Sequence, residues 1–321
     1  MWPVIAFAAA FAAGATIPAA SAQVPPDVYE PAEIVSRHPD TNGPIAGGAI
    51  GPAISALGHV VAFDTGFAAG VPDRPMYRHR PSAFTGFVDP PTGHNLGLSD
   101  DGCVIAYSDR DLYGIVLQAF DRCTGAVLEL DSFYPPAGVD EVPAPGVSAD
   151  GSVIAFAEPD YYPGEPWTIV IFRDGVRETT IEPPDSEPFI DHVSISDDGT
   201  VVAFSAWGLE PAYSTTVWLF DLKNPGLVLA SRDASGQPAN YSGHTSISGD
   251  GSLVAFESGY SVRVFDRSTA SNLLVFEGAG SPVISRDGRY LVFYNYDEFE
   301  QSFVSLVSSS DRWRSSSPAE L

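Results

Sequence analysis

Short runs of alternating or continuous apolar residues fill most of the chain, and glycine, proline and acidic positions break them at close intervals. Runs this short, rich in β-branched and aromatic residues, read as strands rather than helices. One pattern returns. "DHVSISDDGTVVAFSAW", residues 191–207, joins an alternating run, a polar turn and a β-branched run closing in Ala-Phe. Near copies centre on Ser55, Ser99, Ser148, Ser196, Ser248 and Ser285, about 37 to 52 residues apart. A repeat of that period, built from strands and glycine turns, is the signature of a propeller or a similar array.

Each copy has a physical reading. The alternating run ahead of the serine is an inner strand. S-x-D-G is a turn, where Ser or Asp oxygens bond turn amides and glycine accepts positive φ. The β-branched run, Val201-Val202-Ala203-Phe204 in the fourth copy, is a buried second strand. A third strand follows, such as Val217-Trp218-Leu219-Phe220, and then a fourth, such as Leu227-Val228-Leu229-Ala230. Four antiparallel strands per copy in six copies predict an all-β six-bladed propeller over residues 23–307. The first copy has Ala56-Leu57-Gly58, which keeps the glycine and loses the carboxylate. The sixth has three strands and then "SSSDRWRSSSPAEL", so residues 308–321 read as a frayed tail. Its missing fourth strand is expected from residues 33–37, which would join the two chain ends and leave no free sheet edge.

With these residues in view, the chain resembles a known family. "SISDDGTVVAFSAW" and "VSADGSVIAFAE" are similar to the S-x-D-G-x-x-[IV]-A-F repeats, PD40 or WD40-like, of TolB-like six-bladed propellers. The resemblance runs from about residue 31 to residue 307. It implies an exported bacterial protein, in most members a scaffold for partner or ligand binding and in a few an enzyme. The repeat residues are structural, so the resemblance does not choose among those functions.

Composition narrows the setting. "MWPVIAFAAAFAAGATIPAASAQ" is an apolar run ending in Ala20-Ser21-Ala22, which suits signal-peptidase cleavage after Ala22 and makes residues 1–22 a secretory signal. No Lys or Arg precedes the run, a departure from that pattern, and the competing reading is an ordinary buried helix. No later stretch reaches the ~20 apolar residues a membrane helix needs. A periplasmic or extracellular protein without a membrane span is expected. Glycine (30) and proline (28) beside 44% hydrophobic residues indicate many turns rather than disorder. The formal charge of −25 excludes nucleic acid as a natural partner and favours cationic partners or divalent metal. The same charge also fits simple solubility or a high-salt setting, and a monomer is expected.

Chain direction separates two faces. The S-x-D-G turns lie at one end of the ring, the bottom; loops between second and third strands, and links between blades, lie at the top. The top loops carry Asp160, Tyr161, Tyr162, Glu165, Trp167, Trp207, Glu210, Tyr260, Tyr296 and Asp297. Aromatic planes stack on sugars or cations and carboxylates accept hydrogen bonds, so a protein, carbohydrate or cationic ligand is expected there. The competing reading is that the aromatics pack between blades and the acids are solvated.

His192 and His244 both stand four residues before a repeat serine, at the top of inner strands; His94 stands five before Ser99, and Asp191 adjoins His192. Such a group could hold a divalent metal. The resemblance extends to propeller-type pectate-fragment lyases, which implies a metal-dependent lyase or hydrolase as the alternative function. Against it, His94 is off by one residue, and Gly51, Ala144 and Ser281 hold the His192 position in other copies. No catalytic residue is assigned. Cys103, at the opening of a second strand, and Cys123, after the third, fall on the bottom rim of one blade, where a disulfide is expected; two unpaired thiols are the alternative. Neither a G-x-S-x-G elbow nor an H-E-x-x-H motif occurs.

Overall fold

The computed structural model describes residues 50–65, 75–88, 93–110, 114–135, 139, 142–159, 166–184, 189–208, 215–233, 235–239, 241–296 and 302–308. These residues form six antiparallel sheets, in strand order around the ring. Blade one holds β1 (Ile50–Ile54), β2 (Val60–Asp64), β3 (Pro75–His79) and β4 (Phe84–Phe87). Blade two holds β5 (Gly93–Leu98), β6 (Val104–Arg110), β7 (Ile115–Asp121) and β8 (Ala126–Phe133). Blade three holds β9 (Gly146–Val147), β10 (Val153–Glu158), β11 (Thr168–Arg173) and β12 (Val176–Ile181). Blade four holds β13 (Phe189–Ile195), β14 (Val201–Trp207), β15 (Thr215–Asp221) and β16 (Leu227–Leu229). Blade five holds β17 (Ser242–Ile247), β18 (Leu253–Ser258), β19 (Ser261–Asp266) and β20 (Ser271–Glu277). Blade six has three strands among the described residues: β21 (Ala279–Ile284), β22 (Tyr290–Tyr296) and β23 (Ser302–Ser308). The expected closing strand at residues 33–37, the signal at residues 1–22 and the tail beyond Ser308 lie outside the described residues.

The repeated turn is held by its own side chains. Ser196 Oγ accepts the Val201 N–H (3.0 Å) and donates to Asp198 Oδ1 (2.9 Å), which also accepts the Thr200 N–H (3.1 Å). The same circuit recurs at Ser99–Asp101, Ser148–Asp150, Ser248–Asp250 and Ser285–Asp287. In blade one Ser55 still accepts the Val60 N–H (3.0 Å) without a carboxylate to help it. The turn glycine has two reasons to be glycine. Gly199 sits at φ +63°, and a Cβ there would lie 2.5 Å from Cγ2 of Val153 in the preceding blade.

Strand two alternates between neighbours. Val202 and Phe204 pack toward blade three, while Val201 and Ala203 pack toward blade five. Five clusters of this kind fill the interfaces from blade one through blade six in chain order. Among the described residues no cluster spans blades six and one, although Val61, Phe63 and Met76 on that side of blade one are buried. The aliphatic core therefore fixes each blade's tilt and leaves the inner strands facing the axis.

Candidate functional site

The inner strands enclose an axial cavity of about 240 Å³, lined by Leu98, Pro145, Gly146, Val147, Val193, Ser194, Ile195, Thr245, Ser246, Ile247, Ile284 and Arg286. Its two ends differ in chemistry. At the bottom, Arg286 bonds Asp100 and Asp197, so the charges there are matched within the protein.

At the top, the step directly above Val193 and Thr245 in β13 and β17 carries His192 and His244, whose ring centres are 4.6 Å apart at 59°. His192 Nδ1 lies 2.9 Å from Asp191 Oδ2, and a carboxylate acceptor requires that this nitrogen carry the proton. The Asp191 and His192 side chains remain 49% and 38% exposed. The hydrogen bond from His192 holds the Asp191 carboxyl below its ordinary range; partial burial opposes it, and the charges of His192 and His244 assist. Enclosure by the ring wall lowers the His244 pKa, as does His192 beside it, while Glu257 and Asp191 pull the other way. His244 thus favours the neutral imidazole, with a lone pair available to a hydrogen-bond donor or a metal. Among the described residues no group of three or more His, Cys, Asp or Glu has the geometry to hold a metal ion.

The inner strands bulge at this level. The β17–β18 pairing shifts between Gly243 and Ser246, and His244 takes φ +49°. Asn95 (φ +56°) and Ser281 (φ +49°) do the same four residues before Ser99 and Ser285. Strict alternation, which would have turned His94 away from the face of His192, does not hold through such bulges. His94 lies in β5 and its side chain is outside the described residues.

Two acids of importance here were not singled out by the sequence. Glu257 Oε2 accepts the Ser281 N–H (3.0 Å), and Asp64 Oδ2 accepts the Asn95 N–H (3.1 Å). Each ties the end of one blade's second strand to the bulge of the next blade's inner strand. Their signal was legible: among the second strands of the six copies, an acid follows Ala-Phe directly in "VVAFD" and "LVAFE". Gly280 is bare because any side chain would meet the Glu257 carboxylate.

The top-loop aromatics separate into different roles. Trp167 is partly buried against the cores on both sides of blade three, so it packs between blades. Trp207 stacks on Phe189 with ring centres 4.4 Å apart and keeps part of its surface open. Tyr260, at the turn between β18 and β19, is 81% exposed, and its carbonyl accepts the Gly278 N–H (2.6 Å) that leads into blade six. Tyr296 ends β22 opposite Ser302, with its side chain outside the described residues. Asp160, Tyr161, Tyr162, Glu165, Glu210 and Asp297 lie outside them altogether.

Cys103 and Cys123 form a disulfide, Cα–Cα 5.2 Å, joining the start of strand two to the end of strand three in blade two. Among the described residues no helix is long and apolar enough to cross a membrane.

No protein-family model and no curated protein matches the chain. Solved structures match its fold. TolB from Acinetobacter baumannii aligns at 17% identity and a TM-score of 0.50 over 74% of this chain, which spans 58% of that one. The β-propeller domain of the Trilobed protease from Pyrococcus furiosus, described as having an open velcro topology, aligns at 12% identity and a TM-score of 0.58 over 81% of this chain and 80% of that one. An oligogalacturonate lyase solved in complex with manganese aligns at 14% identity and a TM-score of 0.56 over 81% of this chain and 73% of that one. Identities this low speak for architecture alone. By fold, the chain is a six-bladed propeller similar to those of TolB and of the Trilobed protease.

Proposed function

We propose that this is an exported binding module that takes its partner at the top mouth of the ring. One observation carries the reading: the two mouths are unequally satisfied. The bottom carboxylates Asp100 and Asp197 have Arg286 between them, whereas no Lys or Arg among the described residues pairs with Asp191 or Glu257 at the top. A mouth with open carboxylates, two imidazoles and exposed aromatic surface suits a cationic or polyhydroxylated group on a protein or carbohydrate. The disulfide and the amino-terminal signal pattern support a periplasmic or extracellular location.

The test is a screen of glycans and basic peptides against the wild type and the Asp191→Asn, Trp207→Ala and Tyr260→Ala variants. Ligands should be found, and at least Asp191→Asn should weaken them about tenfold or more. Ligands bound equally by all variants would move recognition away from the top mouth.

A second reading is favoured by the closeness of His192, His244 and Asp191. Imidazole and carboxylate are ligand types for a divalent cation in a lyase or hydrolase, but these three do not by themselves have the geometry of a metal site, so the reading needs a further donor from outside the described side chains. A structural neighbour is an oligogalacturonate lyase holding manganese. Stoichiometric metal in freshly purified protein, lost in His192→Ala/His244→Ala, would favour this reading over the first.

A further inference from the structure

The residue directly after the serine in each bottom turn forms a ring of its own. In chain order these are Ala56, Asp100, Ala149, Asp197, Gly249 and Arg286. Their backbones pass hydrogen bonds from blade to blade: Ala56 N–H to Asp100 C=O (2.9 Å), Asp100 to Ala149 (3.0 Å), Ala149 to Asp197 (3.0 Å), Asp197 to Gly249 (2.8 Å) and Gly249 to Arg286 (2.8 Å). The sixth link, from Arg286 N–H to Ala56 C=O, is not made among the described residues. At that break the ring places its one basic residue. The Arg286 guanidinium leaves blade six, lines the floor of the axial cavity and bonds Asp100 of blade two and Asp197 of blade four. Gly249 makes room for this arrangement, since a side chain there would collide with the Asp197 carboxylate.

We infer that Arg286 is a side-chain latch that draws blades two, four and six together across the bottom mouth, closes the axial cavity at that end and completes a rim whose backbone ring stops one link short. The guanidinium suits the task. It is planar and always charged, and it presents donors in two directions, so it can hold two carboxylates that come from different blades. A lysine reaches one of them.

Surrounding charges do not compete for it. Among the neighbouring turn aspartates, Asp101, Asp150 and Asp250 are held by their own turn groups, Asp198 also by Lys223, and Asp287 also by Arg289. Burial raises the Asp100 pKa, with Arg286 opposing and Asp197 and Asp101 adding to the rise. One guanidinium shared by two carboxylates leaves Asp100 incompletely compensated. Loss of Arg286 leaves the largely buried Asp100 and the partly exposed Asp197 without the cation they share.

The test compares Arg286→Met, Arg286→Lys and the charge-free triple variant Asp100→Asn/Asp197→Asn/Arg286→Met by thermal melting and amide hydrogen exchange. In Arg286→Met the Gly249 amide, which bonds the Arg286 carbonyl, and the 285–288 turn should exchange about tenfold faster, with Ser152 and Val153 in blade three unchanged. Arg286→Lys should fall between this variant and the wild type. The triple variant should recover part of the melting temperature and none of the protection in blade six. Full recovery of both in the triple variant would reduce Arg286 to a charge neutraliser and overturn the latch, as would wild-type protection in Arg286→Met. Should Arg286→Met fail to fold, Asp197→Asn, which removes one arm only, must still loosen the 285–288 turn; if that turn keeps wild-type exchange, the latch is refuted.

Discussion

Changing Gly199 to Ala separates two reasons for glycine that usually come together. Gly199 sits at φ +63° with a Val153 methyl 2.5 Å from where a Cβ would go. Gly259 sits at φ +61° with nothing within 4 Å of the same point. Left-handed backbone costs an L-residue about 1–2 kcal/mol, and alanine returns about 0.4–1 kcal/mol by narrowing the unfolded ensemble. Gly259→Ala should therefore cost about 1 kcal/mol or less. Gly199→Ala carries the same backbone cost and also forces a methyl into Val153, which is fully buried, in the preceding blade. Overpacking of that kind adds about 1–3 kcal/mol, for a total of about 1–4 kcal/mol. Urea melts with shared m-values measure both. Trimming the obstacle should rescue the clash, so Val153→Ala in the Gly199→Ala background should cost less than it does alone. Equal costs for Gly199→Ala and Gly259→Ala, within about 0.5 kcal/mol, would show that blade contact through the turn glycine is not what the repeat protects.

Two further outcomes follow from the bottom rim. The Cys103–Cys123 bridge closes a loop with a sequence separation of 20, so the Cys103→Ser/Cys123→Ser protein should lose about 3 kcal/mol in urea melts; an unchanged midpoint would remove the bridge as a stabilising feature. Hydrogen bonds from Thr200, Lys223 and Ser196 outweigh desolvation to bring the Asp198 pKa to about 2, and bonds from Ser285 and Arg289 bring Asp287 to about 2. Folded values below the unfolded ones mean stability that is present above about pH 4 and is lost as pH falls toward 2. Asp198→Asn/Asp287→Asn should flatten the acid limb of a midpoint-against-pH plot, and an unchanged limb would assign acid unfolding to other groups.

The blades were legible because their determinants are local. Ser196 and Asp198 close their turn within five residues, and Val201 to Phe204 fill two interfaces by alternation alone. The bulges were not legible, because a left-handed Asn95 or Ser281 reflects how the inner strand meets the previous blade. Trp167 reads in sequence as part of an aromatic binding loop, yet its ring is taken up by cores on both sides of its blade. Arg286 was hidden differently. The position it occupies is free to vary in a single turn, and its meaning emerges only when the six turns are set in a circle and alternate members turn out to be Asp100, Asp197 and Arg286.

That circle bears on where function can reside. Closing the bottom mouth needs polar groups whose partners lie within the protein, and most turn serines, aspartates and amides are bonded within their own blade or to the next, with Asp100 and Asp197 bonded to Arg286. A ligand arriving there would have to displace internal bonds of equal quality and would gain little. At the top the repeat gives no such instructions. The position after the repeat's Phe or Tyr in each second strand holds Asp64, Ser108, Ala157, Ser205, Glu257 and Tyr294, five residue types in a ring that is otherwise periodic. Asp64 and Glu257 are engaged by a neighbouring amide, while Asp191 bonds the adjacent His192, stays half-exposed and has no Lys or Arg partner among the described residues. A group entering from above therefore replaces water rather than protein, and the net gain from each hydrogen bond is kept. The same argument ties the latch to the site: a floor held by Arg286 keeps the cavity under His192 and His244 closed below, so whatever binds must approach past them.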